Sequence, residues 1–289
     1  MKVFLAFVVG LLAVRFVIMS GRGILETPTL LRRNYRDRLV PTAAGIFVVL
    51  AVLVVEAGRS TLGAFGVGDE PGHDLARPLI LFACVGFGLL GFVDDVLGTE
   101  EDRGFRGHLR ALSRGRLTTG SLKIIGGAAI ALVLVGTGGE LVSGKRLIAD
   151  ALLIALAANL ANLFDRAPGR AIKVGLVAWI PLAIVAGGDA VGVALAPVIG
   201  AFVGLFGDDL REHVMLGDTG AYVVGAVLGL STVLEVGRGP RNGVLAALVL
   251  LTLAAEFVSF SRVIERVPPL RALDQLGRRR PDVPDHTGP

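Results

Sequence analysis

Long apolar segments separated by short polar ones occupy most of the 289-residue chain. Several approach the roughly 20 residues that an α-helix needs to cross a bilayer, and they are too long and continuous for the alternating strands of a membrane β-barrel. The pattern predicts an all-α fold, a polytopic transmembrane helix bundle of about nine spans. The predicted spans are 2–20, 43–57, 78–93, 121–137, 147–164, 171–187, 190–206, 219–235 and 243–261.

Composition supports the membrane prediction. Hydrophobic residues make up 53% of the chain and charged residues 19%, whereas soluble proteins carry about 25% charge. No convincing small-residue cleavage site precedes Arg22, so we expect the first apolar stretch to be retained as a span. The expected organisation is one transmembrane domain with cytoplasmic active-site loops over 1–265 and a cytoplasmic basic tail over 266–289.

The distribution of basic residues predicts the orientation. The gaps after the first, third, fifth and seventh spans and the C-terminal tail, counted with Lys123 and Lys173 at the starts of the spans that follow, contain 21 lysines and arginines, and the other gaps contain six. Because cytoplasmic loops are enriched in these residues, the N-terminus is predicted to lie outside and the C-terminus in the cytoplasm. The net charge of +4 therefore reflects topology, and we expect no nucleic acid partner.

Aspartates stand at the ends of several apolar stretches, all on the predicted cytoplasmic side. Asp94 and Asp95 end the third span. Adjacent carboxylates repel each other unless a cation neutralises them, and Mg²⁺ suits this position because it binds few carboxylates and completes its shell with water and phosphate oxygens. The alternative is a solvated helix end. Lys123, at the mouth of the fourth span, could contact a phosphate or simply extend its charge toward the membrane surface.

Two other polar segments flank later spans. Asn159, Asn162 and Asp165 recur at helical spacing on one face of the fifth span, where they could serve a substrate or form interhelical hydrogen bonds. Gly217 and Asp218 open the eighth span. The free backbone N–H groups of a helix N-terminus can bind an anion, although an aspartate at that position could equally be a helix cap.

Together these segments resemble those of the polyprenyl-phosphate N-acetylhexosamine-1-phosphate transferase family. The resembling segments follow the family's order and are 40–45, 91–98, 121–123, 162–169 and 215–225. The resemblance implies a Mg²⁺-dependent phospho-glycosyltransferase. Such an enzyme moves a sugar-1-phosphate from a UDP-activated N-acetylhexosamine to polyprenyl (undecaprenyl) phosphate at the cytoplasmic face of a bacterial plasma membrane. The product would serve cell-wall or surface-polymer synthesis.

The resemblance also implies roles for individual residues. The expected catalytic residues are Asp94, Asp95 and Asp165. The expected substrate-binding residues are Lys123, Asn162, Asp208 and Gly217, and the expected metal ligands are Asp95 and Asp218. Mn²⁺ is the alternative to Mg²⁺. Basic residues within 103–116 are expected to attract anionic substrates to the membrane face. Whether two copies of the chain associate as a homodimer is left open.

The chain departs from the family's pattern at several positions. Pro168 replaces the second aspartate of the family's NL-x-DG-x-DG motif, Arg166 replaces its first glycine, and Asp208 stands where a nucleotide-contacting asparagine is expected. The family's histidine-rich loop is missing, and no histidine follows the ninth span until His286. The alternative function is therefore a catalytically degenerate relative that binds the lipid carrier or a cell-envelope assembly partner. A transporter is disfavoured, because its charged residues would lie near the bilayer midplane.

Overall fold

The computed structural model describes residues 2–68, 75–98, 118–138 and 143–278. Within these ranges, nine long helices each overlap one predicted span. Two short α-helices, two 3-10 helices (Arg22–Glu26 and Pro28–Leu30) and a two-stranded antiparallel hairpin complete the described fold. The helices are α1 Lys2–Gly21, α2 Gly45–Ala64, α3 Ala76–Leu97, α4 Thr119–Gly138, α5 Gly144–Phe164, α6 Arg170–Ala186, α7 Ala190–Leu210, α8 Gly217–Glu235, α9 Arg238–Phe257, α10 Phe260–Arg266 and α11 Pro268–Gln275, and the strands are β1 Leu31–Arg33 and β2 Leu39–Pro41.

The predicted all-α membrane bundle is confirmed. Eight of the long helices in the described ranges are long and apolar enough to cross a membrane. The remaining one, α6, has 17 residues, which is at the short end for a span. The chain is therefore a multi-pass membrane protein. Its orientation and its division at residue 265, which falls inside α10, remain predictions.

Some predicted boundaries differ from those observed. The ninth span was expected at 243–261, but α9 begins at Arg238 and ends at Phe257. The prediction from hydropathy left out the start of the helix because its first residues, from Arg238, are charged or polar, although they are helical. The helix ends because Val258 adopts an extended conformation. The β1–β2 hairpin was not predicted, since its strands have three residues each and two of the six are arginines.

Helix α8 lies at the centre of the bundle and packs against α3, α5 and α6. Two glycines allow the closest approaches. A Cβ on Gly91 of α3 would lie 2.4 Å from the backbone oxygen of Asp218, and one on Gly225 of α8 would lie 2.3 Å from the backbone oxygen of Ala157. Because these separations exclude any side chain, glycine at 91 and 225 lets α3 and α5 contact α8 directly.

Ion pairs fasten the end of the bundle opposite to the aspartate-rich end. Glu56 on α2, which is 7% exposed, accepts hydrogen bonds of 2.7 Å from both Arg59 and Arg77. On the other side, Asp150 of α5 pairs with Arg241 of α9 at 3.0 Å. Since these carboxylates are buried, each needs its cationic partners to offset desolvation. The two networks hold α2 to α3 and α5 to α9.

Candidate active site

Four of the predicted site residues meet at one end of the bundle, where α3 and α5 end and α4 and α8 begin. The Lys123 ammonium donates to Asp94 Oδ2 at 2.6 Å and to Asp218 Oδ2 at 2.9 Å. Asn162 donates from Nδ2 to Asp218 Oδ2 at 3.3 Å. All three charged side chains are about one-fifth exposed, at 17–26%. The site is therefore shielded yet accessible to a ligand.

Asp95 has a different environment from its neighbour Asp94. Its Oδ1 accepts the Asp218 backbone N–H at 3.1 Å, and its Oδ2 accepts the Thr219 backbone N–H at 2.9 Å and the Thr219 hydroxyl at 2.6 Å. These are free N–H groups of the first turn of α8, so a carboxylate from α3 caps another helix. The cap holds Asp218 beside Asp94, and it occupies both oxygens of Asp95.

Gly217 is required by the backbone at this junction. Its φ of +74° is in the left-handed region, and a Cβ there would lie 2.6 Å from Asp95 Oδ2. A side chain at 217 would thus strain the backbone and displace the carboxylate that caps α8. This requirement accounts for the glycine, while the substrate-binding role of Gly217 remains a prediction.

A cavity of about 320 Å³ contains Asp165, whose carboxylate is close enough to Asp218 to feel its negative charge. The hairpin, the loop between α5 and α6 and the loop between α7 and α8 contribute its walls. Its lining residues include five charged side chains, and the full lining is Arg33, Asn34, Tyr35, Asp165, Arg166, Ala167, Pro168, Asp209, Glu212, Val214 and Met215. A pocket with both cationic and anionic walls can accept a polar ligand that carries phosphate groups.

Asp165 lies in this cavity, directly after the last residue of α5. Its pKa is raised well above the usual range, first because burial desolvates the carboxylate and then because Asp209, Asp218 and Asp95 add negative charge nearby. A carboxyl group in such surroundings can remain protonated, or it can bind a cation that neutralises its charge. The predicted catalytic role of Asp165 is not tested by this geometry.

Asp209, which the sequence analysis did not single out, fixes the cavity walls. It is 4% exposed, and it accepts the Gly169 backbone N–H at 2.8 Å and the Leu216 backbone N–H at 2.9 Å. One carboxylate thus joins the loop that carries Asp165 to the loop that precedes Asp218. The signal in the sequence was the Asp208-Asp209 pair itself, but only the fold distinguishes the two side chains.

Asp208 is directed elsewhere. It forms an ion pair with Arg15 of α1 and a 3.2 Å contact with His213, and it is not among the residues that line the cavity. Arg15 also donates to the Gly204 backbone oxygen at 3.2 Å. An arginine inside an apolar span requires an anionic partner, so Arg15 was the signal for this pair. The substrate-binding role of Asp208 remains a prediction.

The donor set of the cluster fits a magnesium ion. Within the described ranges, no three His, Cys, Asp or Glu side chains form a metal cage. Mg²⁺, however, needs only one or two carboxylates when water and phosphate oxygens supply the other ligands. Asp94 and Asp218 both contact the single Lys123 ammonium, so both can reach one cation. The basic segment 103–116 lies outside the described residues.

Comparison with known proteins finds a similar transferase. No family model matches the chain. The chain is 31% identical over 207 residues to the phospho-N-acetylmuramoyl-pentapeptide-transferase of Deinococcus radiodurans. The chain is therefore similar to that transferase over the matched residues. The match covers 65% of this chain and 59% of the relative, so the chain spans somewhat more than half of the length of this transferase.

Proposed function

We propose that this protein transfers a sugar-1-phosphate from a UDP-activated N-acetylhexosamine to polyprenyl phosphate at the cytoplasmic face of a bacterial plasma membrane. The observation that carries the proposal is the convergence of Asp94 and Asp218 on Lys123, next to a polar cavity at one end of a membrane bundle. A site in this position would be reached by a lipid phosphate from the membrane and by a nucleotide from the aqueous side. The relationship to a phospho-sugar transferase supports the same reaction class.

In the proposed reaction, an oxygen of the lipid phosphate attacks the sugar-bearing phosphorus of the donor. The new P–O bond forms as the bond to the second phosphate breaks, and UMP leaves with the electron pair of that bond. Because phosphoryl transfer depends on positioning and charge stabilisation, the principal task of the protein is to hold two anionic groups in line.

The residues of the chain divide this task. Asp94, at the end of α3, would orient the acceptor phosphate or take its proton, and the Lys123 ammonium would offset negative charge on the phosphates. Asn162 holds the Asp218 carboxylate through its amide. Arg33 and Arg166, at the cavity wall, are the cations available to the nucleotide phosphates.

A divalent ion completes the proposal. Asp218 would hold Mg²⁺, or Mn²⁺, together with Asp94 or Asp95, and the ion would neutralise charge that develops on the leaving phosphate. Asp94 is the better placed of the two because its carboxylate already shares a cation with Asp218. The metal-binding role predicted for Asp95 would require it to release hydrogen bonds at the start of α8.

The test is UMP release by the detergent-purified protein with undecaprenyl phosphate, MgCl₂ and a panel of UDP-sugars. We expect UMP from at least one donor, loss of release with EDTA, and a loss of about 100-fold or more in Asp218→Asn. Glu26→Gln is the matched control, because Glu26 is an exposed carboxylate in the short helix that follows α1. Equal release by the two variants would contradict the proposal.

The alternative, a binding protein without transferase activity, gives a different result in the same experiment. It predicts saturable binding of undecaprenyl phosphate and no UMP from any donor. Binding can be measured on the same preparation by quenching of the single tryptophan, Trp179, or by native mass spectrometry. Binding without UMP release would replace the transferase proposal with this function.

A further inference from the structure

The C-terminal part of the described chain folds back onto the site. After α9 ends, helices α10 and α11 return over the loop between α5 and α6. The Phe260 ring at the start of α10 stacks on the Phe164 ring, with centroids 5.1 Å apart and planes inclined by 9°. Phe164 is the last residue of α5 and immediately precedes Asp165. The returning segment thus makes contact at the base of the cavity loop.

A buried ion pair fastens the far end of this segment. Arg170, at the start of α6 and 5% exposed, donates to both carboxylate oxygens of Asp274 at 2.8 and 2.9 Å, and to Ser261 Oγ at 2.8 Å. Lys173 donates to the backbone oxygens of Asp274 and Leu276, each at 2.8 Å. A two-bond arginine–carboxylate contact is directional as well as strong, so α11 has a defined position on α6.

Arg278 extends this contact to the cavity wall. Its guanidinium pairs with Asp274, and its Nε donates to the Pro168 backbone oxygen at 3.0 Å. Pro168 lines the cavity together with Asp165 and Arg166. The next residue of the loop is held from the other side, through the Gly169 N–H bond to Asp209. Two side chains from distant parts of the chain therefore fix consecutive backbone groups of the loop.

We propose that residues 260–278 form a C-terminal clamp in which Arg278 and Asp274 are positioning residues for the loop 165–169, and that this clamp sets the affinity of the cavity for the sugar nucleotide. The inference rests on the proposed function for its ligand. In the contacts described, neither residue contacts Asp165 or the Asp94–Lys123–Asp218 cluster, and Arg278 bonds the loop at Pro168. The clamp is therefore expected to act on binding of the donor and not on the transfer step.

The test compares Arg278→Ala with Arg271→Ala in the full-length protein. Arg271 is an exposed residue of α11, so the control removes the same charge from the same segment without touching the loop. Loss of one charge-assisted hydrogen bond corresponds to an increase of about 10-fold in KM for the UDP-sugar. We expect that increase in Arg278→Ala alone, a kcat within about 2-fold of wild type, and partial recovery of KM in Arg278→Lys.

Hydrogen–deuterium exchange of residues 162–170 is measured on the same variants, because it does not depend on turnover. Faster exchange in Arg278→Ala and in Asp274→Asn, but not in Arg271→Ala, supports the clamp. If Arg278→Ala matches Arg271→Ala in exchange or in KM, the proposal is wrong. If wild type releases no UMP, the proposed function fails, and calorimetric binding of the UDP-sugar replaces KM as the measurement. Weaker binding in Arg278→Ala than in wild type then supports the clamp, and unchanged binding contradicts it.

Discussion

Lys123 and Asp218 lie 2.9 Å apart, ammonium nitrogen to carboxylate oxygen, although 95 positions separate them in the chain. The same ammonium lies 2.6 Å from Asp94 and 5.4 Å from the centre of the Tyr222 ring. The lysine therefore neutralises two carboxylates that would otherwise repel each other at the edge of the bundle. This contact joins the start of α4 to the end of α3 and the start of α8.

Replacement of Lys123 is expected to abolish transfer while leaving the fold intact. In Lys123→Met the aliphatic part of the side chain is retained and the charge is lost, so phosphate oxygens lose an electrostatic partner. We expect UMP release to fall by about 100- to 1,000-fold, with a smaller loss in Lys123→Arg. Circular dichroism and gel filtration verify the fold, and Lys145→Met, at the opposite end of the bundle, is the control. Normal turnover in Lys123→Met would show that Lys123 has no role in the transfer reaction.

Asp94 and Asp95 are adjacent, but their replacement by asparagine is expected to affect different properties of the protein. Asp95→Asn removes a carboxylate that caps α8, so we expect a loss of about 1–2 kcal/mol in stability, seen as a lower melting temperature in detergent without any ligand. Asp94→Asn should leave the melting temperature nearly unchanged and reduce UMP release. Equal melting temperatures for the two variants would contradict the role of Asp95 as the cap of α8.

Hydropathy located each of the nine long helices, because burial in lipid imposes one strong requirement on every span. The pairing of these helices required the fold. Nothing local in the sequence distinguishes Asp94 from Asp95, or Asp208 from Asp209. Their roles follow from which neighbouring groups each side chain contacts in the fold, and some of these groups are distant in the chain, as Asp218 is from Asp95.

The contacts of the C-terminal clamp could not be predicted from the sequence either. Residues 266–289 were predicted as a basic tail, because their charges fit a cytoplasmic segment. The described part instead contains α11, and its single buried residue, Asp274, makes the contact with Arg170. One buried carboxylate in an exposed eight-residue helix leaves no periodic pattern in the sequence. The residues beyond 278, including His286, lie outside the described ranges.

The clamp is expected to open in acid. Desolvation by burial acts to raise the pKa of Asp274, but hydrogen bonds from Arg170 and the positive charges of Arg278, Arg170 and Lys173 outweigh it and hold the pKa below the usual range. A carboxylate with a depressed pKa stabilises the folded state above its unfolded value, about 3.9, and this contribution is lost as the pH falls through the folded value.

Hydrogen exchange of residues 260–278, corrected for the intrinsic pH dependence of exchange, measures that opening. Protection is expected to be constant from pH 7 to about 5 and to fall as the pH drops below about 4. Asp274→Asn should show the unprotected pattern already at pH 7 and little further change in acid. Protection in wild type that is independent of pH down to 3 would contradict the assignment of the clamp to this carboxylate.

The contacts of Asp208 favour a structural role over the substrate-binding role predicted from the sequence, so its ion pair with Arg15 is expected to stabilise the bundle and to have no role in turnover. Asp208→Asn installs the amide that the family pattern expects, but it leaves the guanidinium of Arg15 facing a neutral group. Because the Arg15 side chain is 42% exposed, water screens the pair, and a coupling energy of about 1 kcal/mol is expected. A double-mutant cycle of Asp208→Asn and Arg15→Gln, read from unfolding in detergent, measures it. UMP release should be equal in all four proteins; an increase in Asp208→Asn would instead place position 208 in the nucleotide site.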